Sequence, residues 1–273
     1  MNKISIIIPT CNRIDLLSIC LNTLQSGNQT FSSNFYEVIV TDDSSNEETK
    51  NFVTSNYPWV QFCVGPRKGP AANRNNGAKY ANYNWLVFFD DDCIPDSNIL
   101  EAYNKAIDTY PNICVFEGKI YANRAKERLD EESPTNLTGG YLWSCNFAIK
   151  KELFVALNGF DEDYVFAAME DVDLHYRIKE RGEKVHFLSA AAVCHPWRIV
   201  KGWNLYKRKR LALLLYLAKH SEEKNRINKK YYLHGLYAYL FLQFPKEAIR
   251  FKFKGFRNSV YYSFYLLSMI FKV

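Results

Sequence analysis

The sequence predicts an α/β fold: a mainly parallel, Rossmann-like sheet with helices on both faces, followed by a helical C-terminal extension. Three observations carry this. Apolar runs alternate with helical patterns through the first half of the chain. The runs are apolar at nearly every position rather than every second one, and two of them end in clustered carboxylates. A run apolar throughout belongs to a strand covered on both faces. Strand–helix alternation gives parallel strands joined by right-handed crossovers. Such sheets bind ligands outside the carboxyl ends of their strands.

The elements follow in order. Strands are expected at Ile4–Pro9, Glu37–Thr41, Val60–Val64, Trp85–Phe89 and Ile113–Glu117, with helices near 13–26, 45–56, 71–83 and 97–109. Ser44 or Ser45 is a start signal for the second helix, with Glu47 and Glu48 in its first turn; Asp96 or Ser97 opens the fourth. Residues 119–142 are polar and carry Glu131-Glu132-Ser133-Pro134 and Gly139-Gly140. They read as a long loop, either a substrate lid or a merely mobile segment. A strand near Cys145–Ile149, a helix from Lys150, a helix from about Asp171 to Arg181 stopped by Gly182, and a short strand at Val185–Leu188 come next. A further segment leads to His195. Leu205–His220, Tyr231–Phe244 and Val260–Phe271 read as tail helices.

With 273 residues, 48% of them hydrophobic, the chain suffices for one large domain with an appendage, or for two small ones. The division is expected near residue 200, giving 1–200 and 201–273. The seven cysteines are scattered with no CxxC spacing, which fits free thiols in a reducing cytoplasm better than a disulfide frame. The sequons at Asn28 and Asn136 then carry no glycan. Met1-Asn2-Lys3 runs straight into the first strand without a secretory leader pattern, and no apolar run reaches the length of a spanning helix. From Lys201 onward there are 16 basic and 3 acidic residues, a net of +13, whereas the remainder carries −7. A basic, aromatic tail on an acidic body suits an anionic membrane surface. Packing of the tail onto the catalytic domain, or a dimer interface, is the competing reading. No nucleic-acid recognition motif accompanies the charge.

Asp90, Asp91 and Asp92 follow Trp85-Leu86-Val87-Phe88-Phe89 directly. Three adjacent carboxylates repel one another unless a cation neutralises them, and a hard divalent cation shares its remaining sites with phosphate oxygens. They read as a metal–diphosphate site or, more blandly, as a solvated acidic turn. Asp42 and Asp43 end a second strand and suit a base or ribose; capping of the next helix explains them nearly as well. Gly69 to Gly77, with Arg74, is a small-residue helix start that suits an anion, or an ordinary capped helix. Glu170 and Asp171 open a helix, where acids favour the dipole or stand ready as a general base. His195 closes an apolar run as a core residue or an additional metal ligand.

These segments, in this order, resemble the family 2 glycosyltransferases, inverting enzymes of the GT-A fold. The resemblance covers about residues 3–198. It rests on Pro9-Thr10-Cys11-Asn12-Arg13, Thr41-Asp42-Asp43-Ser44-Ser45, Ala72-Asn73-Arg74-Asn75-Asn76-Gly77, Phe89-Asp90-Asp91-Asp92, Asn158-Gly159-Phe160-Asp161-Glu162, and Glu170-Asp171-Val172-Asp173-Leu174 with Arg177. By that resemblance Pro9, Thr10, Arg13, Asp42, Asp43, Arg74, Asp90 and Asp91 lie at the nucleotide-sugar, with Asp43 on the base, typically uracil. Asp92, Asp90 and His195 hold Mn²⁺ or Mg²⁺, and Asp171 is the catalytic base, with Glu170 orienting the acceptor or the motif. Cys11 stands where an aromatic is commoner. The implied reaction moves a sugar from a nucleotide-diphosphate sugar, by the family's habit a UDP-sugar, to a hydroxyl of a glycan or lipid-linked acceptor. Surface polysaccharide synthesis by a cytoplasmic enzyme peripheral on the inner face of the membrane is the expected setting. Two other classes compete. A sugar-nucleotide nucleotidyltransferase would need a Gly-rich first loop, which Pro9–Arg13 does not supply. A catalytically inactive scaffold or sugar-binding subunit would leave Asp90, Asp92, Asp171 and His195 without a job.

Overall fold

In the computed structural model, which describes residues 1–273, the first apolar run forms β1 (Ile4–Thr10), and all seven of its residues are buried. It pairs in parallel with β2 (Tyr36–Asp42) on one side and β4 (Trp85–Phe89) on the other, and β2 pairs in parallel with β3 (Gln61–Val64). The crossovers hold α1 (Ile14–Leu24), α2 (Glu48–Asn56) and α3 (Pro70–Lys79). After β4 come β5 (Ile94–Pro95), α4 (Ile99–Thr109), β6 (Val115–Tyr121), β7 (Glu131–Glu132), β8 (Asn146–Lys150), α5 (Lys151–Ala156), α6 (Glu170–Glu180) and β9 (Val185–Cys194). The eight-stranded sheet runs β3-β2-β1-β4-β8-β6-β9-β5. It is mostly parallel; β8 runs antiparallel to β4 and β6, and β5 antiparallel to β9.

Two apolar layers cover this sheet. One packs Ile4, Ile6 and Ile8 with α1, α2 and α4, and the other packs Ile7, Ile39, Leu86 and Phe88 with α3, α5 and α6. The alternation along β1 is the two-residue period of a strand with both faces buried. The second layer centres on Phe88, whose ring lies 4.9 Å from that of Phe147, 5.3 Å from Phe154 and 5.4 Å from Phe160. Each such buried ring stabilises the fold by roughly 1.5–3 kcal/mol relative to exposure. The cluster also fixes β4 against β8 beneath the acidic turn.

Several elements differ from the sequence reading. The strand expected at Ile113–Glu117 runs through Gly118 and Lys119 to Tyr121, so the polar loop starts later. Gly118 has no room for a side chain: a Cβ would sit 2.2 Å from Asn146 Nδ2. The two segments expected before His195 are one strand, β9, with an irregularity in its pairing opposite Gly118 and Lys119. Helix α3 stops at Lys79, because Glu37 accepts from Asn82 N and Nδ2 at 2.6 and 2.8 Å and Ser5 Oγ accepts from Tyr83 N. These bonds hold the chain out of the helix. Ser44 does not cap α2; its hydroxyl donates to Asp42 at 2.5 Å, and Glu47 precedes the helix without a side-chain cap. Asn136 is 1% exposed and its amide donates to Glu117 and to Tyr141 O.

The chain divides into two compact units, residues 1–123 with 134–196, and residues 124–133 with 197–273. In the second, β7 pairs with β10 (Arg198–Ile199), and α7 (Trp203–Lys219), α8 (Lys229–Ala238), α9 (Phe244–Arg250) and α10 (Phe256–Ile270) follow. One wide turn, Tyr239–Gln243, continues α8 into α9. Its core is rich in tyrosine: Tyr206, Tyr216, Tyr232 and Tyr239 are all buried, and Tyr239 meets Tyr262 edge-on at 4.7 Å. Segment 124–133, part of the long polar loop in sequence, folds here, with Glu131 held by Arg124 at 2.6 Å. No helix is long and apolar enough to cross a membrane.

Candidate active site

The register of β1 against β2 places Thr10 beside Asp42, and the chain leaving β4 carries Asp90–Asp92 to the same end of the sheet. Asp91, expected among the donor-binding residues, turns inward instead and is fully buried. Thr10 Oγ1 donates to its Oδ2 at 2.7 Å and Arg13 approaches its Oδ1 at 2.6 Å. Burial pushes its carboxyl up to about 7, against the pull of Arg13 and Thr10. Asp91 thus anchors the first loop, and Arg13 spans from it to Asp92 at 3.3 Å. Pro9 lies within β1, and Arg13 precedes α1.

Asp42 is buried and accepts from Ser44 N at 3.0 Å. Asp43 accepts from the backbone N–H groups of Arg67 and Gly69 at 2.8 and 3.2 Å, so it shapes the turn between β3 and α3. Burial raises its pKa; those two bonds oppose the rise. Gly65 permits this approach, since a Cβ there would lie 2.2 Å from Asp43 Oδ1 and 2.5 Å from Asn73 Oδ1.

Helix α3 carries side chains too polar for its position unless they are paired, and all but Arg74 Nε find partners. Asn73 Nδ2 donates to Thr10 O and Thr41 O, while its Oδ1 accepts from Thr41 Oγ1, which ties the ends of β1 and β2 together. Asn75 donates to Phe160 O and accepts from Phe160 N, holding the Gly159–Glu162 turn. Arg74, only 3% exposed, donates to Asp90 Oδ1 at 2.6 Å and Glu170 Oε1 at 3.1 Å, and its guanidinium lies 5.6 Å from the Phe160 ring centroid. Arg74 therefore links the acidic turn after β4 to the start of α6. Nothing in the sequence pattern singles out Asn73 or Asn75 beyond the presence of three asparagines on one short helix.

Glu170 and Asp171 are both buried. Burial raises both pKa values; in Glu170 the neighbouring Asp171 charge adds to the rise. Arg74 pulls both down, and the Ser144 N–H, donating to Asp171 Oδ2 at 3.3 Å, opposes the rise in Asp171. Glu170 Oε2 is buried without a hydrogen-bond partner. Burial without a partner favours the protonated form of this carboxyl. Arg177, expected with this motif, donates to Asp173 at 2.7 Å and to Leu157 O and Gly159 O, and so braces α6.

His195, 1% exposed, stands with its Nε2 3.2 Å from Asp92 Oδ1. Its Nδ1 lies 3.1 Å from Pro196 O. An Nδ1–H that donates there turns the Nε2 lone pair toward a carboxylate oxygen, and two acceptors at this distance call for a proton or a cation between them. Burial lowers the His195 pKa, but Asp92 outweighs it and the net direction is up. Imidazole plus carboxylate is a donor set for Mn²⁺, and the carboxylate serves Mg²⁺. Cys93 also belongs to this cluster. Burial pushes its thiol well up. Asp90, expected as a metal ligand, lies outside the cluster and spends Oδ1 on Arg74.

The family model described as glycosyl transferase family 2 matches residues 5–169. A GalNAc(5)-diNAcBac-PP-undecaprenol beta-1,3-glucosyltransferase of Campylobacter jejuni is 28% identical over 178 residues, 60% of this chain and 56% of that protein. The chain thus spans little more than half of that relative. Among solved structures, S. aureus TarS 1–349 with UDP-GlcNAc superposes with a TM-score of 0.58 at 21% identity, covering 79% of this chain and 66% of that one. The mannosyltransferase PcManGT of Pyrobaculum calidifontis, with GDP-Man and Mn²⁺, gives 0.57 at 17% identity, covering 81% and 64%. These likenesses show the GT-A fold.

Proposed function

The chain belongs to glycosyl transferase family 2, and from that premise we propose that its first 200 residues transfer a sugar, with inversion, from a nucleotide-diphosphate sugar to a hydroxyl of a glycan or lipid-linked acceptor. The observation that carries this reading is Asp171, a buried carboxylate of raised pKa, joined to the acidic turn after β4 through Glu170, Arg74 and Asp90. Asp171 accepts the acceptor proton as the acceptor oxygen attacks the anomeric carbon, and the nucleoside diphosphate leaves from the opposite face. The Ser144 N–H holds the Asp171 carboxylate, and Arg74 fixes Glu170 behind it.

Asp92 and His195 would hold a Mn²⁺ or Mg²⁺ ion, whose charge offsets that of the bound diphosphate. Arg13 lies beside them. Pro9, Thr10, Asp42 and Asp43 frame the nucleotide end. We favour a UDP-sugar, the family's usual donor; the TarS complex with UDP-GlcNAc is in keeping with it, and the GDP-Man complex of PcManGT is the alternative. The undecaprenol-linked substrate named for the Campylobacter relative supports a lipid-linked acceptor and a role in surface glycan assembly. Residues 201–273 would then rest on the anionic inner face of the membrane, with Phe241, Phe264 and Phe271 more than half exposed beside abundant Lys and Arg.

Replacing Asp171 with Asn keeps the shape but removes the proton acceptor. Turnover should fall by about 10²-fold or more, with donor affinity by calorimetry little changed. An active Asn variant removes Asp171 from this role.

A further inference from the structure

The start of α10 is flanked by two different openings. One is a cavity of about 320 Å³ lined by Lys201, Gly202, Gly255, Arg257 and Asn258. Gly202 and Gly255 are the N-caps of α7 and α10, so two helix N-termini meet at one cavity. Their dipoles place positive potential there. Lys201 and Arg257 add formal charge, and both are exposed. Arg257 is braced on Tyr261, donating from Nε to its hydroxyl at 2.6 Å. Asp130 also lines the cavity, with its carboxylate against Gly255, and Arg128 pairs with that carboxylate at 2.8 and 3.0 Å. Asn258 is 9% exposed, and its Oδ1 lacks a hydrogen-bond partner. A buried, unsatisfied acceptor costs free energy until a donor reaches it.

The second opening is an apolar groove of about 330 Å³ on the neighbouring face of α10, lined by Leu236, Leu240, Phe244, Phe256, Phe264 and Leu267. Leu240, Phe256, Phe264 and Leu267 are 38–57% exposed. A positive polar cavity and an apolar groove on adjacent faces of one helix match an amphiphile with an anionic, hydroxyl-bearing head.

We propose that α10 seats a single anionic phospholipid, its phosphate between Lys201, Arg257 and the two helix starts, a headgroup hydroxyl on Asn258, and an acyl chain in the groove. This rests on the reading of residues 201–273 as membrane-contacting, and sharpens it from a diffuse basic surface to a defined site. The occupant follows from charge complementarity: a phosphate answers the cations and helix starts, a hydroxyl donor answers the orphaned Asn258 oxygen, and a chain answers the groove.

The test is co-sedimentation of the full chain with phosphatidylcholine vesicles with and without phosphatidylglycerol. Three double variants are compared: Lys201→Gln with Arg257→Gln at the cavity, Lys229→Gln with Lys230→Gln as an equal loss of exposed charge, and Phe264→Asn with Leu267→Asn in the groove. All six positions are exposed, so the fold tolerates them. The proposal expects the cavity pair to lose about tenfold more affinity than the lysine pair. It expects the groove pair, which changes no charge, to weaken binding as well. Equal losses from the two charge pairs overturn the site while the membrane reading stands. A wild-type chain that ignores phosphatidylglycerol overturns both. Nucleotide binding by calorimetry, unchanged in all three variants, keeps these outcomes separate from the proposed transfer reaction.

Discussion

Arg74→Gln removes a charge that faces two carboxylates from a site only 3% exposed. Leaving a buried partner uncompensated costs about 3–5 kcal/mol. Asp90 is 23% exposed, so water relieves part of its share, whereas Glu170, at 4%, gets little relief. Glutamine retains one amide donor, which returns about 1 kcal/mol. The balance is a loss of about 3 kcal/mol, or roughly 6–12 °C in melting temperature for a unit of this size. The loss should also grow with pH. Without Arg74 the folded-state pKa of Glu170 climbs further, so ionising it costs the variant more than the wild type. Thermal unfolding at pH 6 and pH 9 measures both effects. A variant within about 1 kcal/mol of wild type, or a loss independent of pH, would refute the view that Arg74 carries the charge balance of this cluster. Arg74→Lys should recover only part of the stability, because one ammonium cannot span both carboxylates as a guanidinium fork does.

Other outcomes follow from the same geometry. Glu170 has a folded pKa raised to about 8, so its stabilising contribution is full below its unfolded value and is lost as pH rises through about 8. Glu170→Gln should therefore flatten the decline of stability with pH across that window; a variant whose pH profile overlays the wild type shows that Glu170 does not titrate there. Gly65→Ala brings a methyl against Asp43, Asn73 and the Asp42 backbone, with contacts of 2.2, 2.5 and 2.9 Å. About 1–3 kcal/mol of stability and much of the nucleotide affinity should go, read by melting and calorimetry; unchanged values would show that the turn yields freely.

Most of the fold was legible because the strands are buried on both faces, which leaves unbroken apolar runs such as Ile4–Pro9 and Trp85–Phe89. What sequence pattern missed depended on long-range partners. Nothing local shows that Glu37 stops α3 at Lys79, or that Gly118 continues β6 through a polar stretch. Periodicity cannot assign segment 124–133 to the unit of the tail, because its pairing with Arg198 and Ile199 spans some 65 residues of chain. In the site, the carboxylates drew attention because clustered charge has no packing purpose. The direction each one faces was not readable: Asp91 turns into the core, while Asp92 meets His195, just past the end of β9 and about a hundred residues away.

The most direct test of the central claim is a thermal-shift panel of UDP, GDP, dTDP and CMP, each with Mn²⁺ and with a chelator. Stabilisation is expected from one nucleotide, UDP, only with metal, of about 2.7 kcal/mol at a hundredfold excess over Kd, and from none in Asp92→Ala. Stabilisation by no nucleotide, or an equal shift with the chelator present, would contradict a metal-dependent donor site at the ends of β1, β2 and β4.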